Sequence, residues 1–166
     1  TARELKHQLI DSGARVIVVV ENFAHVLQEI RHEVPLDCVI TTRIGDMLKF
    51  PKGLLINFAL KHIKKAIPAW KLPGAVSFSA ALKAGEGLTF NAVSMGFEDI
   101  AFLQYTGGTT GVAKGAMLTH KNLVANMLQS KAWLTASDIG HAGEIIITAL
   151  PLYHIFALTA NCLVFM

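Results

Sequence analysis

Residues 15–20 read Arg15-Val16-Ile17-Val18-Val19-Val20, and this unbroken β-branched run restricts the fold more than any other feature of the chain. A strand with one wet face alternates apolar and polar residues. A continuous apolar run belongs instead to a parallel sheet covered by helices on both faces. The neighbouring segments agree. Residues 4–12 carry Leu5, Leu9 and Ile10 at helical spacing, Thr1 and Glu4 form an N-cap with its capping box, and Gly13 stands where a helix ends. Residues 23–32 read as a second helix and Asp37-Cys38-Val39-Ile40-Thr41 as a second short strand. This alternation predicts a layered α/β domain with a mostly parallel sheet.

Composition adds one constraint. Of 166 residues, 52% are hydrophobic and only 16% charged, against roughly 25% charged in an ordinary soluble domain. That excludes a disordered chain. Together with an end that stops inside the apolar segment 160–166, it predicts a piece of a longer protein, because domain boundaries usually fall in polar linkers. Cys38 and Cys162 lie in apolar runs and suit neither a disulfide framework nor a metal site, so they read as buried thiols in a reducing compartment. Residues 145–166 contain no Asp, Glu, Lys or Arg, a length that can span a bilayer. Pro151, Tyr153, His154 and Asn161 interrupt it, and residues 144–150 read better as a buried strand leading into a turn and a core helix.

The chain divides by character into an α/β segment (1–46), a basic amphipathic segment (47–85) and a glycine-rich segment (86–166). Residues 47–85 hold seven lysines and no acidic residue, in a chain of formal charge +3. Pro51 opens and Pro68 ends a predicted helix, with Ile56, Ala59, Leu60, Ile63, Ala66 and Ile67 on one face and Lys61, Lys64 and Lys65 on the other. Two uses fit this pattern. The helix docks on its own domain through its apolar face, or, with Trp70 nearby, it lies on an anionic membrane with Lys61, Lys64 and Lys65 facing the lipid. Each lysine near such a surface is worth about 1 kcal/mol before screening. No nucleic-acid partner is expected.

From Ile100 the chemistry concentrates. The strand-like run Ile100-Ala101-Phe102-Leu103-Gln104-Tyr105 enters Thr106-Gly107-Gly108-Thr109-Thr110-Gly111-Val112-Ala113-Lys114-Gly115. Glycines let main-chain N–H groups close around an anion. Threonine hydroxyls add donors and a possible Mg²⁺ ligand, and Lys114 adds a full positive charge. The segment suits an oligophosphate. It is not a Walker loop, because Gly115 follows Lys114 where Ser or Thr is required, and it lacks Gly-x-Gly-x-x-Gly. Farther on, His154 follows a predicted strand and a Pro-containing turn, a place where ligands gather in α/β sheets. A core histidine with one satisfied hydrogen bond is the alternative. Thr119 reads as the N-cap of a helix that starts at His120 and runs to Leu134, which makes His120 structural.

Residues 105–115 closely resemble the AMP-binding signature of adenylate-forming enzymes, a superfamily of acyl-CoA synthetases, luciferases and peptide-synthetase adenylation domains. The Gly107 variant, Ala116-Met117-Leu118-Thr119-His120 and Ala149-Leu150-Pro151-Leu152-Tyr153-His154-Ile155-Phe156-Ala157-Leu158 resemble bacterial long-chain fatty acyl-CoA synthetases. The resemblance implies part of the large N-terminal domain of that fold. It also implies ATP-dependent activation of a fatty acid to an acyl-adenylate and then an acyl-CoA, with ATP, Mg²⁺ and coenzyme A taking part. Thr106, Gly107, Gly108, Thr109, Thr110 and Gly111 would wrap the β- and γ-phosphates. The Thr109 hydroxyl would help hold Mg²⁺, and Lys114 would pair with phosphate or anchor the loop. His154 would lie beside the α-phosphate and the substrate carboxylate. Tyr153 and Phe156 either line an acyl tunnel or pack the core.

The family's later acidic residues for Mg²⁺ and ribose, and its C-terminal domain with the adenylation lysine, have no counterpart among these residues. The chain alone is therefore expected not to catalyse the reaction. A cytoplasmic enzyme is implied, one able to lie peripherally on the inner face of the cytoplasmic membrane, and a homodimer is compatible with it. Two alternatives remain at this stage: an adenylate-forming enzyme for a different carboxylate, and a non-catalytic membrane-association module.

Overall fold

The computed structural model describes residues 1–107, 112–136 and 145–165. The chain forms two compact units, Thr1–Ala92 and Val93–Met166. In the first, α1 (Ala2–Asp11) starts at the capping box of Thr1 and Glu4. It stops at Gly13, whose φ of +65° is the left-handed geometry that disfavours residues with a Cβ. There follow β1 (Val16–Val20), α2 (Ala24–Ile30) between two short 3₁₀ turns, β2 (Cys38–Thr42), α3 (Lys52–Phe58), β3 (Val76–Ser77) and α4 (Phe78–Gly85). The three strands form one parallel sheet in the order β1-β2-β3.

The core sits on one face of that sheet. Val19 and Val39 from the strands pack with Leu9 of α1, with Ala24, Leu27 and Ile30 of α2, and with Val34, Leu36 and Leu72. Burying an aliphatic side chain of this kind contributes about 1.5–3 kcal/mol. Val16 and Val18, which point to the opposite face, remain exposed. Arg15 aligns the entry of the two long strands. Its carbonyl accepts the N–H groups of Asp37 and Cys38, and its guanidinium grips both Asp37 carboxylate oxygens at 2.8 and 2.6 Å. Trp70 packs against the core.

That segment departs from expectation in two ways. The helix does not reach Pro68: α3 passes into a π-helical stretch, Ala59–Ile63, and ends at Lys65, a non-glycine residue with φ +47°. The buried positions are also not apolar side chains, although Ala59, Leu60 and Ile67 of the predicted face are half-buried. Gly53 and Asn57 are buried, whereas Leu54, Leu55, Ile56, Phe58 and Ile63 are exposed. The reason is local. Gly53 and Gly45 approach so closely that a Cβ on either would meet the other's carbonyl oxygen. Asn57 meanwhile accepts the Gly45 N–H at 2.9 Å and donates to Asp46 at 3.2 Å.

The second unit contains β4 (Ile100–Thr106), β5 (Lys114–Thr119), α5 (His120–Ala136) and a π-helical segment, Ala157–Leu163. Strands β4 and β5 pair antiparallel. The strand expected over residues 144–150 is not formed. Glu144 lies outside the described residues, and residues 145–149 have no regular structure, with Ile145 and Ile147 93% and 84% exposed. A strand requires a hydrogen-bonded neighbour. Here the main chain of this run is held by Asn161, whose amide donates to the Ile147 carbonyl at 3.3 Å. Cys38 and Cys162 are each partly buried and form no disulfide. No helix among the described residues is long and apolar enough to cross a membrane.

Candidate functional site

The β4–β5 hairpin frames the candidate phosphate loop. Thr106 faces Lys114 in the pairing and Tyr105 faces Gly115, so the loop's two ends share one rung of the ladder. Gly115 is glycine for a packing reason. The Tyr105 ring lies across it, and a Cβ there would fall 3.0 Å from ring atom Cζ. Gly107 differs, because a Cβ at that position would meet nothing within 4 Å. The exposed Lys114 has no acidic partner among the described residues. Gly108, Thr109, Thr110 and Gly111 lie outside the described residues.

Strand β5 runs directly into α5. Thr119 Oγ1 accepts the Asn122 N–H at 3.3 Å and Asn122 Oδ1 accepts the Thr119 N–H at 3.0 Å, a reciprocal cap of the kind expected. The His120 main-chain N–H donates to the Asp99 carbonyl at 3.0 Å.

His154 follows an irregular segment rather than a strand. Its N–H donates to the Pro151 carbonyl and its carbonyl accepts the Leu158 N–H, both at 2.9 Å. Its ring Nδ1 accepts the Phe156 N–H at 3.3 Å. An imidazole that accepts at Nδ1 carries its proton at Nε2 when neutral. The exposed ring therefore presents an N–H donor to a ligand.

Among the described residues a hydrogen bond ties this turn to the hairpin: the Gln104 side chain on β4 donates from Nε2 to the Tyr153 carbonyl at 3.3 Å. Sequence reasoning missed Gln104. The available signal was a lone amide inside the apolar run of residues 100–105.

The two acyl-pocket candidates separate. Phe156 lines a cleft of about 820 Å³ together with Trp133 of α5, Leu150 and Val164, a volume in the range of small-molecule sites. Tyr153 is 81% exposed and is not among the residues lining it. Lys61, Lys64 and Lys65, in the other unit, are all exposed. Among the described residues no group of three or more His, Cys, Asp or Glu is placed to hold a metal ion.

Comparison with known proteins bears on this arrangement. A model of the AMP-binding enzyme family matches residues 1–166. The chain is 54% identical over 166 residues to a long-chain-fatty-acid–CoA ligase of Salmonella typhimurium, covering 99% of this chain and 29% of that protein. It is 33% identical to the protein of the same description in Bacillus subtilis, over 96% of this chain and 28% of that one. It is 31% identical to 4-coumarate–CoA ligase 2 of Narcissus pseudonarcissus, over 96% and 25%. Among solved structures, ATP-bound MatB from Rhodopseudomonas palustris superimposes with a TM-score of 0.65 at 25% identity, over 99% of this chain and 26% of that one. The chain thus spans under a third of the length of the relatives it matches. With the signature hairpin and a family match over its whole length, the chain belongs to the AMP-binding enzyme family.

Proposed function

We propose that this chain supplies the phosphate-binding part of an enzyme that joins a long-chain fatty acid to coenzyme A at the expense of ATP. The fatty carboxylate attacks the α-phosphorus of ATP, the bond to the β-phosphate oxygen breaks, and acyl-adenylate and pyrophosphate form. The thiol of coenzyme A then attacks the acyl carbon, releasing AMP and a proton. A carboxylate is a weak nucleophile toward a charged phosphate, so alignment and charge neutralisation supply most of the acceleration.

In this reading the main-chain N–H groups and hydroxyls of Thr106, Gly107, Gly108, Thr109, Thr110 and Gly111 hold the β- and γ-phosphates, with Lys114 as their counter-charge. His154 donates from Nε2 to an oxygen of the α-phosphate or the carboxylate. Phe156, on the cleft, and Tyr153 serve the acyl chain. A hydroxyl oxygen suits a hard cation carried by phosphates, so Thr109 would give Mg²⁺ one protein ligand. Bound there, the ion would neutralise phosphate charge.

The observation that carries the reading is the 54% identity, over 99% of this chain, to a long-chain-fatty-acid–CoA ligase, together with the signature residues framed by β4 and β5. The test is ATP–pyrophosphate exchange by the full-length polypeptide. A saturated sixteen-carbon acid should stimulate exchange well above 4-coumarate. Equal stimulation by 4-coumarate would move the assignment to another carboxylate, and no carboxylate-dependent exchange would overturn it. The 166-residue chain alone should form no thioester.

A peripheral membrane contact is the finer part of the proposal. It is favoured by the outward-facing apolar side chains of α3 and by the run Lys61, Lys64 and Lys65, which has no acidic partner among the described residues. The protein should sediment with vesicles rich in phosphatidylglycerol and not with phosphatidylcholine vesicles. Changing the three lysines to Glu should abolish this; unchanged sedimentation removes the electrostatic contact.

A further inference from the structure

Gln104 is the one amide in the apolar run of residues 100–105, and it occupies a strand position opposite Ala116. Its Nε2 donates to the carbonyl oxygen of Tyr153, the residue immediately before His154. Because the acceptor is main chain, the contact does not depend on which side chain stands at 153. The rest of the turn is fixed from within: the His154 N–H is held by Pro151, its carbonyl by Leu158 and its ring by the Phe156 N–H. Gln104 links this self-contained turn outward to β4. Two residues along that strand lies Thr106, the first residue of the candidate phosphate loop, a strand length of about 7 Å.

We propose that Gln104 is a positioning residue that sets the spacing between the His154 imidazole and Thr106, where the candidate phosphate loop begins. The proposal rests on the activity proposed above. The reaction needs the α-phosphorus and the carboxylate aligned while the β- and γ-phosphates are held elsewhere, and displacements near 1 Å can slow such chemistry by about a hundredfold. Two holding groups on separate chain segments meet that demand only if the segments are tied together. A hydrogen bond from β4 to the residue preceding His154 makes that tie without touching substrate.

The test is made in the full-length polypeptide with Gln104→Glu, Gln104→Met, His154→Ala and the double variant Gln104→Glu/His154→Ala. Glu keeps the shape but turns an acceptor toward the Tyr153 carbonyl. Met keeps the length without any polar group, and serves if Glu perturbs folding. Exchange kinetics and melting temperature are both recorded. Each Gln104 variant should lower kcat for exchange by about five- to tenfold, the loss of one net hydrogen bond. KM for ATP should stay within about twofold, and the melting temperature of Gln104→Met should fall by no more than about 2 °C. The double variant should be no slower than His154→Ala, because Gln104 acts through His154.

Wild-type kcat in both Gln104 variants, or losses that multiply in the double variant, would overturn the coupling and leave the activity assignment standing. Unchanged exchange in His154→Ala would overturn the coupling together with the role given to His154. A wild-type polypeptide without carboxylate-dependent exchange would instead refute the activity itself.

Discussion

Single residues carry the sharpest chemical distinctions. His154 caps the following turn through Nδ1, so cap and ligand donor can be separated by substitution. Asn reproduces the Nδ1 acceptor and Gln places an N–H near the Nε2 position. His154→Asn should keep stability and lose about a hundredfold in exchange rate, as expected when one preorganised donor is removed. His154→Gln should retain most of the rate; the opposite order would show that exchange requires the turn cap at Nδ1 and not a donor at Nε2. Two glycines separate in the same way. Gly115→Ala pushes against Tyr105 and should cost about 1–3 kcal/mol in thermal unfolding. Gly107→Ala meets no atom within 4 Å. It should leave unfolding within about 0.5 kcal/mol of the parent while weakening ATP binding, measured by calorimetry on the full-length polypeptide. A stability loss there would mean that packing, not a ligand, requires the glycine.

The elements are fixed by a few contacts that propensity does not reveal. Gly53→Ala sets a Cβ against the Gly45 carbonyl and should undock α3, seen as faster amide exchange across Lys52–Phe58 with β1 and β2 still protected. Of the two uses the sequence left open, docking on its own domain was expected to rest on apolar side chains, whereas a close glycine contact and a buried asparagine supply the buried positions of α3. Strands β1 and β2 are aligned by Arg15 and Asp37. Hydrogen bonding to the guanidinium holds the Asp37 carboxyl below its ordinary range. A carboxyl whose pKa is depressed on folding contributes stability above its unfolded value of about 3.9 and loses it as pH falls through the folded value. The parent's melting temperature should therefore drop more than that of Asp37→Asn below about pH 4. The pair is exposed, so the difference will be small.

At the scale of the molecule, the two units differ in how they are held. The clustered core belongs entirely to Thr1–Ala92. That unit should melt cooperatively by itself, and Leu27→Ala, at a fully buried position, should cost about 2–5 kcal/mol. In Val93–Met166 the buried described residues are Leu123, Ala157 and Thr159. This unit expressed alone should give a broad, non-cooperative transition by circular dichroism; a sharp one would show a core that burial does not reveal.

The sequence alone determined what depends on local pattern: the alternation of α1, β1, α2 and β2, the caps at Thr1 and Thr119, and the end of α1 at Gly13. Each follows from backbone geometry and residue chemistry within a few positions. Tertiary structure alone decided the face on which α3 docks, the packing of Trp70 against the core, the unpaired state of residues 145–149 and the link from Gln104 to the His154 turn. These depend on which distant chain arrives alongside, and an apolar run does not encode its own partner.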